Sequence, residues 1–123
     1  MTALMRIFLL VAFSLFASAC TDQDGSDSRA TEILSRELRP ADSELAEIYG
    51  RSCRSCHTVA ATGSPLTGDA EAWRVRMDKG INVLLDNVIN GYGGMPPFGL
   101  CMDCDAAQFE GLIRFMAKPG TTP

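Results

Sequence analysis

The chain has one histidine and one tryptophan, and aromatic residues fill only 7% of its 123 positions. A lone histidine excludes any site built on a histidine pair. It also leaves no choice of imidazole for a site that needs one. Basic residues are outnumbered, 11 Lys and Arg against 15 Asp and Glu, and every acidic residue follows position 20. Without a Lys/Arg-rich run the chain is a poor nucleic-acid binder, and a protein docking on it through charge would offer a basic face. No apolar run is long enough to span a bilayer, no period-two alternation marks a strand, and no internal repeat is present. The length suits one modest domain.

The N-terminus has the pattern of an export signal. Arg6 supplies a positive start, and Ile7 to Phe16 is a mostly apolar stretch of signal-core length. Ala17-Ser18-Ala19-Cys20 then supports two readings. It is an ordinary small-residue cleavage site, or it is a bacterial lipoprotein box in which Cys20 is acylated, although Ala17 stands where that box usually carries Leu. The 5 cysteines favour the lipoprotein reading, because lipid on Cys20 leaves Cys53/Cys56 and Cys101/Cys104 as two close pairs. The expected organisation is a signal peptide over 1–19, a lipid-anchor site and flexible tether over 20–40, a folded domain over 41–118 and a tail over 119–123. The tether reading rests on the polar, charged run from Thr21 to Arg39, where Ile33, Leu34 and Leu38 offer at most a marginal helical turn.

Within the domain the apolar spacing is helical, so the expected class is all-α with four short helices. Leu45, Ile48, Tyr49, Ser52, Cys53 and Cys56 share one face of a helix that begins near Asp42 or Ser43. Asp69 can cap a second helix carrying Trp73 and Met77, with Lys79-Gly80 as its stop. Ile81, Leu84, Leu85, Val88 and Ile89 form a third stripe, ended by Gly91. Asp105 and Gln108 make a capping-box start to a last helix with Phe109, Leu112, Ile113 and Met116 on one face. Four such helices enclose a thin core, which a large apolar cofactor would help to hold.

Cys53-Arg54-Ser55-Cys56-His57 is the haem c attachment string C-x-x-C-H. Cysteines three apart on a helix share a face, so both sulfurs can reach vinyl groups on one side of a porphyrin. The next residue can set an imidazole under the iron. His57 is therefore the expected proximal ligand. Two other chemistries use such cysteines. A zinc site could draw four thiolates from Cys53, Cys56, Cys101 and Cys104, and a thioredoxin-like pair needs only one C-x-x-C. The first wants strands and knuckle turns and the second a βαβ pattern, and neither is present. For the second axial position, Met95 lies in Gly91-Tyr92-Gly93-Gly94-Met95-Pro96-Pro97, a loop with glycines for close approach and prolines for rigidity, and Met102 is the alternative. Cys101 and Cys104 are expected to form a short disulfide in an oxidising compartment, stiffening the chain between Met95 and the last helix, with a redox role as the alternative.

These residues resemble the short bacterial class I c-type cytochromes of the c-five type. The likeness runs from Tyr49 to about Met116: Tyr49 four residues before the first haem cysteine, the C-x-x-C-H string, Gly63 to Asp69, Trp73 with Arg76, Gly91-x-x-x-Met95-Pro96-Pro97, and the closing Cys101/Cys104 pair. The resemblance implies a small all-helical wrap around one covalent haem c, with first and last helices crossing. It implies that Pro65 accepts a hydrogen bond from His57 Nδ1, that Trp73 packs beside the haem and that Arg76 pairs with a propionate. Simple turn, core and surface roles remain the plainer alternatives for these three. The function it implies is one-electron transfer between redox proteins in the periplasm, without an enzymatic substrate. A haem subunit dedicated to a dehydrogenase or oxidase complex, or a haem-based sensor, are the rival functions. The acidic N-terminal segment and Cys20 depart from the family and suggest a membrane-anchored carrier.

Overall fold

A computed structural model describes residues 23–120. The expected signal peptide, Cys20 and the last three residues of the expected tail lie outside the described residues. Six α-helices succeed one another: α1 (Gln23–Glu37), α2 (Ser43–Ile48), α3 (Arg54–His57), α4 (Ala70–Met77), α5 (Ile81–Asn90) and α6 (Ala106–Ala117). Short 3₁₀ turns at Ala60–Thr62 and Pro97–Leu100 bend the connections. Extended pairing among the described residues is limited to a single bridge between Tyr92 and Met95. None of the described helices is long and apolar enough to cross a membrane.

The helix starts arise from side chains that satisfy otherwise orphaned amides. Asp42 accepts from the Leu45 amide at 2.9 Å and Asp69 from the Ala72 amide at 3.0 Å. Asp105 accepts from the Gln108 amide at 2.8 Å while Gln108 Oε1 accepts from the Asp105 amide at 2.9 Å, a complete capping box. Helix α6 is the spine of the fold. Its buried Phe109, Leu112, Ile113 and Met116 pack with Ile48, Tyr49, Trp73, Leu84 and Val88 into one core. Helices α2 and α6 meet where Leu45 lies over Gly111.

Two features differ from the sequence expectation. The haem-motif helix is not one regular helix. Between α2 and α3 the chain widens into a π-turn over Tyr49–Cys53, and the Arg54 amide bonds back to the Tyr49 carbonyl. The extra residue in this turn rotates α3 relative to α2, so Ile48 and Tyr49 are buried while Cys56 is exposed. Spacing alone puts all of them on one face.

The second difference concerns the expected tether. Residues 23–37 form a helix that docks on the domain. Ser35 is fully buried, its hydroxyl donating to the Glu32 carbonyl at 2.8 Å. Leu34 packs against bare backbone at Gly120, where a Cβ would meet Leu34 Cδ2 at 2.5 Å. The Gly120 amide in turn donates to the Gly68 carbonyl at 3.0 Å, so part of the expected tail belongs to the fold. Sequence reasoning misses this because α1 is polar overall and its few apolar side chains find their partners far along the chain.

The capping box gives a direct test. Asp105→Ala should destabilise the protein by about 1 kcal/mol and lower its Tm by about 4–8 °C in thermal unfolding followed by circular dichroism.

Candidate functional site

The site begins at the end of α3. His57 is 7% exposed, and its Nδ1 lies 2.8 Å from the Pro65 carbonyl oxygen. A carbonyl only accepts, so Nδ1 carries the proton and the neutral ring keeps its free lone pair on Nε2. Burial pushes the His57 pKa down, the Pro65 hydrogen bond opposes this, and the nearby Arg76 charge lowers it further. All of this leaves an imidazole suited to a metal ion.

The backbone from Pro65 to Thr67 acts as a rack for three rings. Pro65 O takes His57, and the next carbonyl, Leu66 O, accepts from Trp73 Nε1 at 2.8 Å. The Thr67 amide donates to the His57 carbonyl at 2.7 Å, and the Thr67 hydroxyl meets the Tyr49 hydroxyl at 2.9 Å. Trp73 stacks behind His57, with ring centroids 6.0 Å apart and planes 29° apart. Tyr49 is fully buried and packs edge-on to Phe115, and burial raises its pKa despite the Thr67 bond.

In front of His57 lies a partly open, mostly apolar cavity. Cys53, Cys56, His57 and Met95 all line it. Val88, Phe109, Leu112 and Met116 supply apolar walls from α5 and α6. Cys53 and Cys56 are free thiols, and burial pushes Cys53 up to about 11, with Arg51 pulling the other way.

Met95 is delivered by a tight turn. The Tyr92 amide donates to the Met95 carbonyl at 3.1 Å and the Met95 amide to the Tyr92 carbonyl at 2.9 Å. Gly91 enters this turn with φ of +80°, and a Cβ there would lie 2.9 Å from the Met95 carbonyl oxygen. After Met95 the chain stays tightly coiled, with positive φ at Phe98 (58°) and Leu100 (65°) on either side of Gly99. Cys101 and Cys104 are joined as a disulfide just beyond, with Cα atoms 5.4 Å apart. Arg51 grips Asp103 inside that disulfide loop with two bonds, at 2.9 and 3.2 Å.

The structure thus brings Cys53, Cys56, His57 and Met95 to one cavity and sets Pro65 and Trp73 behind the imidazole. Met102 is 73% exposed and does not line the cavity. Arg76 does not line it either. Its guanidinium donates to the Ala72 carbonyl of its own helix and borders a separate open recess beside Pro65 and Asp69. Sequence reasoning misses the roles of the Leu66 carbonyl, the Thr67 amide and the Thr67 hydroxyl, because their partners are brought near only by the fold.

Residues fit for haem c are therefore all present: paired thiols, an imidazole with Nε2 free, a thioether and apolar walls. A family model described as "Cytochrome C oxidase, cbb3-type, subunit III" matches residues 40–116. The chain belongs to this family of c-type cytochromes. It is 34% identical over 73 residues to cytochrome c5 of Ectopseudomonas mendocina, covering 58% of this chain and 84% of that one. It is 44% identical over 72 residues to cytochrome c-555 of Chlorobaculum thiosulfatiphilum, covering 55% and 84%. Among solved structures it resembles a chain of the "Crystal structure of electron transfer complex of nitrite reductase with cytochrome c", with a TM-score of 0.55 and 29% identity over 63% of this chain and 95% of that one. As a small class I c-type cytochrome, the protein is an electron carrier with one covalent haem c. Helix α1 lies ahead of the matched region.

Gly91→Ala should destabilise the protein by ~1–3 kcal/mol in denaturant unfolding, because the turn needs a positive φ and the added methyl meets the Met95 carbonyl. Gly50→Ala is the control. Nothing lies within 4 Å of its new Cβ, and it should be neutral or slightly stabilising.

Proposed function

We propose that the cytochrome passes single electrons between redox proteins, holding its haem by thioethers from Cys53 and Cys56, with His57 Nε2 and Met95 Sδ as the axial ligands. The observation that carries this assignment is the shared cavity, in which both thiols, the imidazole and the Met95 side chain converge while Nδ1 is already committed to Pro65. When bound, haem iron alternates between ferric and ferrous states. The protein's part is to keep that change cheap. His57 is held in one tautomer by Pro65 and in one orientation by Trp73. Met95 is held by its turn. The walls from α5 and α6 exclude water, and Met/His ligation under such burial raises the reduction potential. His57 and Met95 line the same cavity, so both could hold the iron; no coordination site would then be left open for a substrate, which favours a carrier over an enzyme or a gas sensor. Exposure of Met102 supports Met95 over it as the ligand.

The partners in this reading are a protein donor and a protein acceptor. The resemblance to a cytochrome c captured with nitrite reductase supports docking on a redox enzyme, and the family model's name keeps a fixed place in an oxidase complex as the second reading. The site of action is the periplasm, and Cys20 is the lipid attachment point. The Arg6-led apolar stretch and the Ala17-Ser18-Ala19-Cys20 string support both statements.

Two experiments test these assignments. Met95→Ala should leave haem attached but abolish the weak band near ~700 nm that reports Met–iron(III) ligation, and should lower the potential. Persistence of the band would move the role to another residue. Cys20→Ala should shift the protein from the membrane to the soluble periplasmic fraction. A wild-type protein that is already soluble, with an unmodified N-terminal mass, would remove the anchor.

A further inference from the structure

Helix α1 makes specific bonds to the backbone that leaves His57. Glu32 Oε2 accepts from the Ala60 amide at 3.1 Å, and Arg36 Nε donates to the Thr58 carbonyl at 3.4 Å. Glu32 and Arg36 are also paired with each other, one turn apart. The contact is reciprocal. Arg54, inside the C-x-x-C-H string, donates from Nη2 to the Arg36 carbonyl at 3.1 Å, and the Thr58 hydroxyl donates to the Arg54 carbonyl at 2.8 Å. The end of α1 and the haem-attachment segment therefore interlock through three bonds, and the Thr58–Arg54 bond stiffens the segment itself.

The segment gripped in this way controls the proximal histidine. Residues 58–64 run from His57 to Pro65, the residue whose carbonyl fixes the imidazole. On its inner side this loop is held by the bond from Thr62 Oγ1 to the Cys56 carbonyl at 2.9 Å and by the bond from the Thr67 amide to the His57 carbonyl at 2.7 Å. Its outer residues Ala60, Ala61 and Thr62 are exposed, and α1 is the helix that braces them. Glu32 makes a charge-assisted bond there with only 24% of its side chain exposed, a setting in which such bonds are stronger than at an open surface.

We infer that α1 is a positioning clamp for the proximal ligand. Glu32 and Arg36 hold the Thr58–Ala60 backbone so that Pro65 O stays on His57 Nδ1. Glu32 and Arg36 lie ahead of the region matched by the family model, and the backbone they hold lies within it. The inference rests on the reading of His57 as the axial ligand, and the test separates the two.

The measurement is solvent exchange of the His57 Nδ1 proton, followed by NMR in the reduced, full-length holoprotein. Glu32→Ala combined with Arg36→Ala should speed this exchange about tenfold, equivalent to ~1.4 kcal/mol of local opening, while the Phe109 and Leu112 amides on α6 keep their rates. Glu32→Gln, which retains a carbonyl acceptor for the Ala60 amide, should restore most of the protection when set beside Glu32→Ala. If the double variant fails to accumulate, Arg36→Ala alone should raise the exchange about threefold, since it leaves Glu32 in place. An unchanged Nδ1 exchange rate, or one that rises only in step with the α6 amides, overturns the clamp and leaves α1 a general stabiliser. In wild-type protein the His57 ring protons should be displaced by the macrocycle's ring current. Undisplaced ring protons would overturn the ligand assignment itself, whereas displaced protons insensitive to the variants would overturn the clamp alone.

Discussion

A carbonyl oxygen can only accept a hydrogen bond, and the 2.8 Å contact between Pro65 O and His57 Nδ1 therefore settles both the tautomer and the direction of the imidazole. Much of the surrounding structure serves to keep that oxygen still. Proline has no amide hydrogen to bond and little backbone freedom, so Pro65 does not swing away on its own axis. Its neighbours are tied down in sequence: Leu66 O by the Trp73 indole, the Thr67 amide by His57 itself, the Thr67 hydroxyl by Tyr49. Tyr49 and Trp73 are the two large rings of the core on this side, so packing energy and hydrogen-bond geometry support the same few backbone atoms. Breaking any one of these bonds would leave a buried polar group without a partner, which costs about 1–3 kcal/mol.

The Met95 side is built differently. No side chain hydrogen bond fixes the thioether, and position comes from the shape of the main chain. Gly91 and the Tyr92–Met95 bridge set the turn, and two non-glycine residues with positive φ, Phe98 and Leu100, hold the coil beyond it. Such conformations each cost on the order of 1–3 kcal/mol and persist only where the surroundings over-determine them. Here Phe98 packs against the core near Phe109, with ring centroids 6.4 Å apart, and the disulfide and the Arg51–Asp103 pair close the far end of the loop. The Arg51–Asp103 pair is exposed and weak on its own. Its interest is that it ties the loop to the π-turn that carries Cys53.

Much of this is legible in the sequence, for identifiable reasons. Asp42, Asp69 and Asp105 announce helix starts because capping is a local act of one side chain on the next few amides. The C-x-x-C-H string is legible because covalent chemistry demands fixed spacing. The π-turn is not, since apolar periodicity at Leu45, Ile48 and Tyr49 assumes a constant 3.6 residues per turn and cannot register one inserted residue. The rack at Leu66 and Thr67 acts mostly through main-chain atoms that every residue type possesses, and the one side-chain bond in it, from Thr67 to Tyr49, joins residues 18 apart that only the fold brings together. Helix α1 reads as a tether because its composition is polar, and what orders it is a set of partners at Gly68, Gly120, Thr58 and Ala60 that only tertiary structure brings near.

The docking of α1 also changes how this haem domain can move if Cys20 carries lipid. A flexible leash of some twenty residues would let the domain tumble and sample partners by its effective concentration. Here α1 begins at Gln23, so only three steps of chain separate it from Cys20, about 10 Å at full extension. A domain held that closely behaves less like a ball on a string than like a figure on a pedestal. With lipid on Cys20, its cavity mouth would be confined to a narrow range of heights above the bilayer, and it would find a partner by drifting and spinning in the membrane plane. Redox centres at that same height would be reached quickly, and those far above it would be out of range.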